Sequence, residues 1–143
     1  MSTFIIVLFL LNFNLNPEEK NMDYIPNKNI TIEQLDEMFN LIAEEDQWDL
    51  SKPLLWGYFF TDDDPNQLEL VIPKIQSLGY SIVNIFQAKK ENENEADSFY
   101  LHVEKIEIHN SHSLNKTNDA FYIFAHQNGL DSYDGMDVGP VEQ

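Results

Sequence analysis

The sequence predicts an α+β domain in which one helix precedes a β-α-β-β-α-β core. Three stretches place apolar residues at the spacing of one helical face, and four shorter stretches have the composition of strands. This order of strands and helices is the split βαβ, or ferredoxin-like, arrangement. The chain has 143 residues, of which 43% are hydrophobic, so it suits a single domain with a packed core.

The first helix is predicted over residues 32–45. Thr31 and Gln34 have the spacing of a capping box, in which each side chain accepts from the other residue's backbone N–H. Four apolar residues then form one face of the helix: Leu35, Met38, Phe39 and Ile42. Five acidic residues are expected on its solvent side: Glu33, Asp36, Glu37, Glu44 and Glu45.

Residues 54–61 predict a strand buried on both sides, because both of its faces are apolar or aromatic. Asp64 and Pro65 then start the second helix, with aspartate as the cap and proline in the first turn, and Gly79 ends it. Pro73 lies inside this helix, where proline removes a backbone hydrogen bond and costs about 3 kcal/mol. We therefore expect a kink at Pro73, or a helix that stops and restarts.

A hairpin follows, with a second strand at 80–88, a charged loop at 89–97 and a third strand from about Ser98. The apolar residues of the third strand change parity along its length. Because side chains alternate along a strand with a period of two, this change predicts a β-bulge near Glu104–Lys105.

The third helix is expected to be capped by Ser111 or Ser113 and to end at Asn128–Gly129. A last short strand covers 133–138. Gly135 within it marks a position where a side chain or backbone approaches closely.

The N-terminal 27 residues are expected to form an extension outside the single domain at 28–143. The apolar run at 4–11 is too short to span a bilayer, which takes about 20 helical residues. A basic segment and a cleavage site, which a secretory signal would need, are not evident around it. Met22 is a candidate natural start, which an N-terminal peptide beginning before it would contradict.

The charge of the chain is strongly negative, with 25 acidic residues against eight lysines, no arginine, and a formal net charge of −17. Nucleic-acid binding gains affinity by neutralising phosphates, for which arginine is the preferred side chain. The composition therefore argues against nucleic acid as the direct ligand and favours a protein partner with a basic surface. The alternative is that the charge only keeps the protein soluble. The absence of cysteine excludes disulfides and thiolate zinc sites and fits a cytoplasmic protein that does not enter a membrane.

Motifs of catalysis or cofactor binding are not evident. The sequence has no Gly-rich phosphate loop, no nucleophile elbow and no His-Glu-x-x-His motif. We expect no enzyme activity, no cofactor and no metal. The competing hypothesis is a metal-binding or catalytic domain that uses Glu104, Glu107 and His109. The acidic run 62–64 lacks the spacing of a calcium loop and is better explained by helix capping and solvation.

Five short motifs carry a family resemblance: 56–60 (WGYFF), 78–80 (LGY), 100–104 (YLHVE), 113–114 (SL) and 133–139 (YDGMDVG). Over about residues 30–140 the chain resembles the regulator of ribonuclease E activity B family. The resemblance implies a ferredoxin-like α+β sandwich without a catalytic centre. It also implies binding to an endoribonuclease of the RNA degradosome and a reduction of its activity. Within the last motif it marks Tyr133, Asp134 and Gly135, although Tyr133 and Asp134 can equally serve to fix the last strand.

If the protein binds its partner through an acidic surface, the candidate contact residues lie in the first helix and in the turn after the first predicted strand. These residues are Glu33, Asp36, Glu37, Asp62 and Asp63. A second binding function fits the same residues, namely an immunity- or antitoxin-like protein that neutralises a basic toxin. The genomic neighbourhood would separate the two, since an adjacent toxin gene favours the second.

Overall fold

The computed structural model describes residues 5–8, 24–45 and 48–142 of the chain. Five strands and three helices occur in this order: β1 (Ile5–Leu8), α1 (Ile32–Glu45), β2 (Leu54–Asp62), α2 (Pro65–Ser77), β3 (Ser81–Gln87), β4 (Phe99–Glu107), α3 (Ser111–Gln127) and β5 (Ser132–Gly139).

The strands form one sheet in the order β1-β5-β2-β4-β3, and every neighbouring pair is antiparallel. Strands β2 to β5 and helices α2 and α3 form the predicted β-α-β-β-α-β unit, with α1 before it. Within this unit β5, the last strand, pairs with β2, the first strand, and β2 also pairs with β4. The fold is therefore α+β with the ferredoxin-like pattern, as the element order predicted.

The core lies on the side of the sheet that faces the helices, here called the helix face. Alternate residues of β2, Trp56, Tyr58 and Phe60, point to this side and are at most 1% exposed. Phe121 of α3 contacts the rings of Tyr58 and Phe60 edge-on, with centroids 4.9 and 5.1 Å away. The residues of β2 between them, on what is here called the second face, are also buried from Gly57 onward. The prediction of a strand buried on both sides is confirmed.

Helix α1 begins with the predicted capping box. The Gln34 N–H donates to Thr31 Oγ1 at 3.2 Å, and the Thr31 N–H donates to Gln34 Oε1 at 2.8 Å. Its buried side chains are Leu35, Met38 and Ile42. The helix packs against α3.

Helix α2 is capped by Asp64, whose side chain accepts from the Asn66 N–H at 2.9 Å. The helix continues through Pro73, so the expectation that it stops and restarts there is wrong. Pro73 and Glu69, four residues before it, are both exposed. The Glu69 carbonyl, which loses its helical partner to the proline ring, is thus on the hydrated side of the helix.

The bulge predicted near Glu104–Lys105 is wrong, because β4 pairs with β2 in unbroken register from Phe99 to Glu107. The apolar pattern changes because Lys105 and Glu107 occupy helix-face positions at the end of the strand. Ile106 between them lies on the second face and is 54% exposed.

The irregularities of register lie in two other strands. One is in β3, where Val83 is the extra residue between Ile82 and Asn84. The other is in β5, where Asp134 has no counterpart between Phe59 and Phe60 of β2. Each leaves one residue unpaired, and such positions bend the strand locally.

Helix α3 is capped by Asn110 and not by Ser111 or Ser113. Asn110 Oδ1 accepts from the Ser113 N–H, and Ser113 Oγ accepts from the Asn110 N–H, both at 2.9 Å. Ser113 is therefore the reciprocal partner of a capping box that starts one residue earlier than expected. Gly129, with a φ of 67°, follows the helix end as predicted.

Strand β1 pairs with β5 from Ile5↔Val138 to Leu8↔Gly135. Four residues of the apolar run therefore join the sheet, although they fall within the predicted extension 1–27. The domain boundary at residue 28 stays a prediction. The hypothesis about Met22 lies outside the described residues. In the described part of the chain no helix has the length and apolar character needed to cross a bilayer.

Candidate functional site

Helix α1 presents three of the predicted binding residues to solvent. Glu33, Asp36 and Glu37 are all exposed. The helix carries five acidic side chains and no lysine among its 14 residues. The structure thus offers a helix surface of one charge sign, without cations of its own to neutralise it.

Asp62 and Asp63 differ in their environment. Asp62 is 3% exposed, and its carboxylate accepts from the N–H groups of Asp64 and Asp131, both at 3.0 Å. Asp63 is exposed, and its N–H donates to Asp131 Oδ2 at 2.9 Å. These bonds join the β2–α2 turn to the α3–β5 turn. The buried Asp62 carboxylate therefore serves to hold the two turns together. Of the two residues, Asp63 is the one whose side chain is accessible to a partner.

The three carboxylates of Asp62, Asp63 and Asp131 lie close enough to share a cation, within 4.8 Å of one another. Burial, and after it the Asp62 charge, raise the pKa of Asp131 above its ordinary value. Backbone N–H groups already occupy oxygens of Asp62 and Asp131, so the turn-to-turn bonding explains this proximity.

The family-motif residues all have structural roles in or beside the last strand. The buried Tyr133 hydroxyl donates to Asn118 Oδ1 of α3. Asp134 accepts from the Tyr100 hydroxyl at 3.0 Å and from Ser132. Gly135 has a φ of 120°, which side chains rarely tolerate, and it follows the unpaired Asp134. These contacts support the alternative that Tyr133 and Asp134 fix the last strand.

A cavity of about 690 Å³ opens between the end of α2, the end of β4 and α3. Five large apolar residues form most of its walls: Leu78, Tyr80, Ile108, Phe121 and Phe124. Its polar lining residues include Glu107, His109 and Ser113.

A hydrogen-bonded chain, here called the Tyr58 network, connects these polar groups. The Tyr58 hydroxyl donates to Glu107 Oε2 at 2.8 Å, and His109 Nε2 lies 2.8 Å from the same oxygen. His109 Nδ1 lies 2.9 Å from Ser113 Oγ. Lys105 Nζ is 3.6 Å from the other Glu107 oxygen. Burial opposes ionisation of Glu107, but hydrogen bonds from His109 and Tyr58 outweigh it and hold the pKa of Glu107 below its ordinary value.

The Tyr58 network superficially contains the groups of a serine-histidine-acid site. Ser113 Oγ, however, accepts the Asn110 N–H as part of the α3 cap, and both His109 ring nitrogens have partners. These bonds hold the β4–α3 connection against β2. The competing hypothesis of a site built from Glu104, Glu107 and His109 also fails in geometry, because Glu104 lies on the second face and Glu107 on the helix face.

Sequence reasoning named Glu107 and His109 but not Tyr58 or Ser113 as their partners. Tyr58 lies 49 and 51 positions from the two residues that it contacts, so only strand pairing brings it there. The spacing of four residues between His109 and Ser113, at a helix start, was the local signal available.

The second face has a polar row across three strands, in which Gly57 pairs with Glu104 of β4 and Asp137 of β5. A Cβ atom on Gly57 would lie 2.1 Å from Asp137 Oδ1 and 2.7 Å from His102 Nε2. Both side chains therefore converge on the space above this glycine. The His102 ring is stacked on Phe59, with centroids 4.4 Å apart.

Both polar groups above Gly57 are affected by burial. Asp137 is 8% exposed, and burial, with a smaller contribution from Glu104, raises the pKa of Asp137 to about 6 against hydrogen bonding from the Gly57 backbone. Burial lowers the pKa of His102, and its Nε2 atom is buried without a hydrogen-bond partner. Buried polar atoms without partners are rare in folded proteins.

The chain matches a protein-family model. The model is described as regulator of ribonuclease activity B and covers residues 31–138. These residues begin at the α1 cap, reach Val138 in β5 and include the Tyr58 network and the row at Gly57. No curated protein matches the chain, and no solved structure does.

Proposed function

We propose that this chain, which belongs to the regulator of ribonuclease activity B family, binds an endoribonuclease through an acidic surface and lowers the rate of RNA cleavage. Family membership makes the chain a non-enzymatic regulator of ribonuclease activity that interacts with a ribonuclease. Direct binding, inhibition and the acidic contact surface are our additions.

The observation that carries the proposal is that every charged side chain of α1 is acidic, in a chain with a net charge of −17. A ribonuclease holds RNA by placing cationic side chains against phosphates. An acidic helix surface complements such a region and accelerates encounter with it by electrostatic steering. An inhibitor that occupies the cationic surface competes with RNA for it.

Glu33, Asp36 and Glu37 are the contact residues that we assign to α1, with Asp63 in the β2–α2 turn. Asp62 contributes charge to that turn, while its carboxylate remains bonded to the backbone. We also propose that the protein acts in the cytoplasm, on an endoribonuclease of the RNA degradosome that the resemblance implies.

The test uses purified full-length protein, a ribonuclease E-type endoribonuclease and a fluorescent RNA substrate. We expect cleavage to slow as the protein is added. The triple variant Glu33→Lys, Asp36→Lys, Glu37→Lys should lower the association rate at least about tenfold at low salt and flatten its salt dependence. The matched control is Glu91→Lys, Glu93→Lys, Glu95→Lys, which makes the same charge change in the exposed β3–β4 loop.

Each outcome decides a different part of the proposal. If RNA cleavage is unchanged and no binding occurs at low salt, direct inhibition of this class of nuclease is refuted. The alternative, a basic toxin as the partner, would then be the hypothesis to test. Equal losses in the helix variant and the loop variant would show that net charge acts without a defined contact surface. A selective loss in the helix variant supports α1 as the contact surface.

A further inference from the structure

We propose that the cavity between α2, β4 and α3 binds a small organic carboxylate, with the acid group at Lys116 and an apolar body along α3. The cavity volume of about 690 Å³ lies within the range of about 300–1,000 Å³ that is usual for small-molecule sites. None of the residues that line the cavity belongs to α1, so the site is separate from the proposed ribonuclease contact.

One face of α3 forms a long wall of the cavity. Six of its residues have the spacing of one helical face: Ser113, Lys116, Thr117, Ala120, Phe121 and Phe124. Lys116 and Phe124 are eight positions apart, which is about 12 Å along a helix. Ala120 lies between them, is exposed and has only a methyl group, so the middle of the wall stays open. The wall therefore fits an elongated ligand.

The other walls supply apolar surface. Leu78 and Ile108 are 53% and 56% exposed, although both are large apolar side chains. The Tyr80 ring packs edge-on against Phe121, with centroids 5.2 Å apart. The apolar body of a ligand would remove this surface from water, which is the main driving force for binding apolar groups.

Three polar lining residues already have partners. Glu107 Oε2 accepts from the Tyr58 hydroxyl at 2.8 Å, and Glu107 Oε1 lies 3.6 Å from the Lys105 ammonium. Both ring nitrogens of His109 have partners, one of which is Ser113 Oγ. These groups belong to the Tyr58 network, so the acidic side chain of the lining is not open to a cationic ligand.

Lys116 and Thr117 are the lining residues with unused donors. Neither side chain makes a hydrogen bond or an ion pair with another described residue. An ammonium group donates three hydrogen bonds and accepts none, and a hydroxyl can donate one. A carboxylate accepts from both and forms a charge-assisted bond with the ammonium. The open polar groups therefore select an anion.

The charge preference of the cavity is opposite to that of the whole chain. A net charge of −17 attracts cations and repels anions at long range. At the cavity, Lys116 is one positive charge, and the Lys105 ammonium, 4.8 Å from the centroid of the Tyr80 ring, is a second. Preference for an anion over a cation of equal length would thus have to come from the cavity itself.

The experiment titrates decanoate and, separately, decyltrimethylammonium into the full chain by isothermal calorimetry. We expect one equivalent of decanoate to bind, at least about tenfold more tightly than the cation. Ala120→Leu fills the open part of the wall and Lys116→Gln removes the ammonium, and each should weaken decanoate binding at least about tenfold.

Two matched controls should leave the affinity for decanoate unchanged. Ala43→Leu makes the same enlargement at an exposed position of α1, and Lys89→Gln removes an exposed lysine of the β3–β4 loop. An affinity unchanged in Ala120→Leu would place the ligand elsewhere and would overturn the proposal.

A second measurement uses the unaltered protein. The methyl resonances of Thr117 and Ala120 should move on addition of decanoate, whereas the methyl resonance of Ala43 should not. The proposal is wrong if decanoate does not bind stoichiometrically, if it binds no more tightly than decyltrimethylammonium, or if the methyl resonances of Thr117 and Ala120 do not move.

Discussion

Gly57 has only a hydrogen atom where other residues carry a side chain, and side chains from the neighbouring strands β4 and β5 pack over it. A methyl group there would meet Asp137 Oδ1 at 2.1 Å and His102 Nε2 at 2.7 Å. We expect Gly57→Ala to lower the free energy of unfolding by about 1–3 kcal/mol, because overpacked interiors shift side chains and backbone. Urea unfolding measures this loss. The double variant with Asp137→Ala should recover part of it, and an unchanged stability of Gly57→Ala would contradict the geometry.

Glu107 gives the residue-scale prediction on pH. Its pKa is lowered in the folded protein, so its ionised form stabilises the fold at pH values above the unfolded pKa of about 4.3, and this contribution is lost as the pH falls through the folded pKa. Glu107→Gln should therefore cost about 1 kcal/mol at pH 7, the usual net contribution of a hydrogen bond, and less at pH 3 than at pH 7.

Urea unfolding of Glu107→Gln and the unaltered protein at pH 7 and pH 3 tests the role of Glu107 in the Tyr58 network. The matched control is Glu91→Gln in the exposed loop, which should cost little at either pH. A loss in Glu107→Gln that is equal at both pH values would contradict a role for its charge.

Contacts between residues close in sequence could be predicted from the sequence, whereas contacts between residues on different strands could not. The Thr31–Gln34 box is confirmed because its two members are three positions apart. The convergence of His102 and Asp137 on Gly57 depends on the register of β4 and β5 against β2, which the sequence does not state. The unequal burial of Asp62 and Asp63 has the same origin, since Asp131 comes from a distant turn.

At the scale of elements, α2 offers a direct test of the cost of an internal proline. The helix continues through Pro73, so alanine at this position would restore the hydrogen bond to the Glu69 carbonyl without repacking a buried surface. We expect Pro73→Ala to raise the free energy of unfolding by about 1–3 kcal/mol. Thermal unfolding measures the gain.

The control for Pro73→Ala is Pro65→Ala in the same helix. Pro65 lies in the first turn, where a backbone N–H has no acceptor within the helix. Its replacement by alanine should therefore not raise the free energy of unfolding. If Pro73→Ala is no more stable than the unaltered protein, the expectation is wrong. Contacts of the proline ring would then stabilise the fold as much as the restored hydrogen bond does.

Element type and order followed from periodicity and turn residues, but strand irregularities did not. The parity change in β4 indicated a bulge, whereas the strand is regular and places Lys105 and Glu107 toward the helices. Polar residues at the end of a strand resemble a register slip in the sequence. Here Glu107 lines the cavity beside β4, and the Lys105 ammonium lies over the Tyr80 ring, so neither enters the closed core. The unpaired residues at Val83 and Asp134 had no sequence signal beyond the neighbouring Gly135.

At the scale of the whole molecule, the net charge of −17 should make stability depend on salt. Mutual repulsion opposes the compact state, and raising the ionic strength from about 0.01 M to about 0.15 M shortens the screening length from about 30 to about 8 Å. We expect the Tm to rise by a few degrees over this range. The variant Glu91→Gln, Glu93→Gln, Glu95→Gln should show a smaller rise, and a falling Tm would indicate that attractive ion pairs dominate.

The position of β5 determines when this sheet can be completed during synthesis. Of the described strands, β5 is the last to leave the ribosome, yet it lies between β1 and the central β2. Until it arrives, one edge of β2 has unpaired backbone groups and β1 has no neighbour. Non-local pairing of this kind slows folding and exposes unfinished edges to other chains. The nascent protein is therefore expected to be most prone to misassociation just before residues 132–139 emerge.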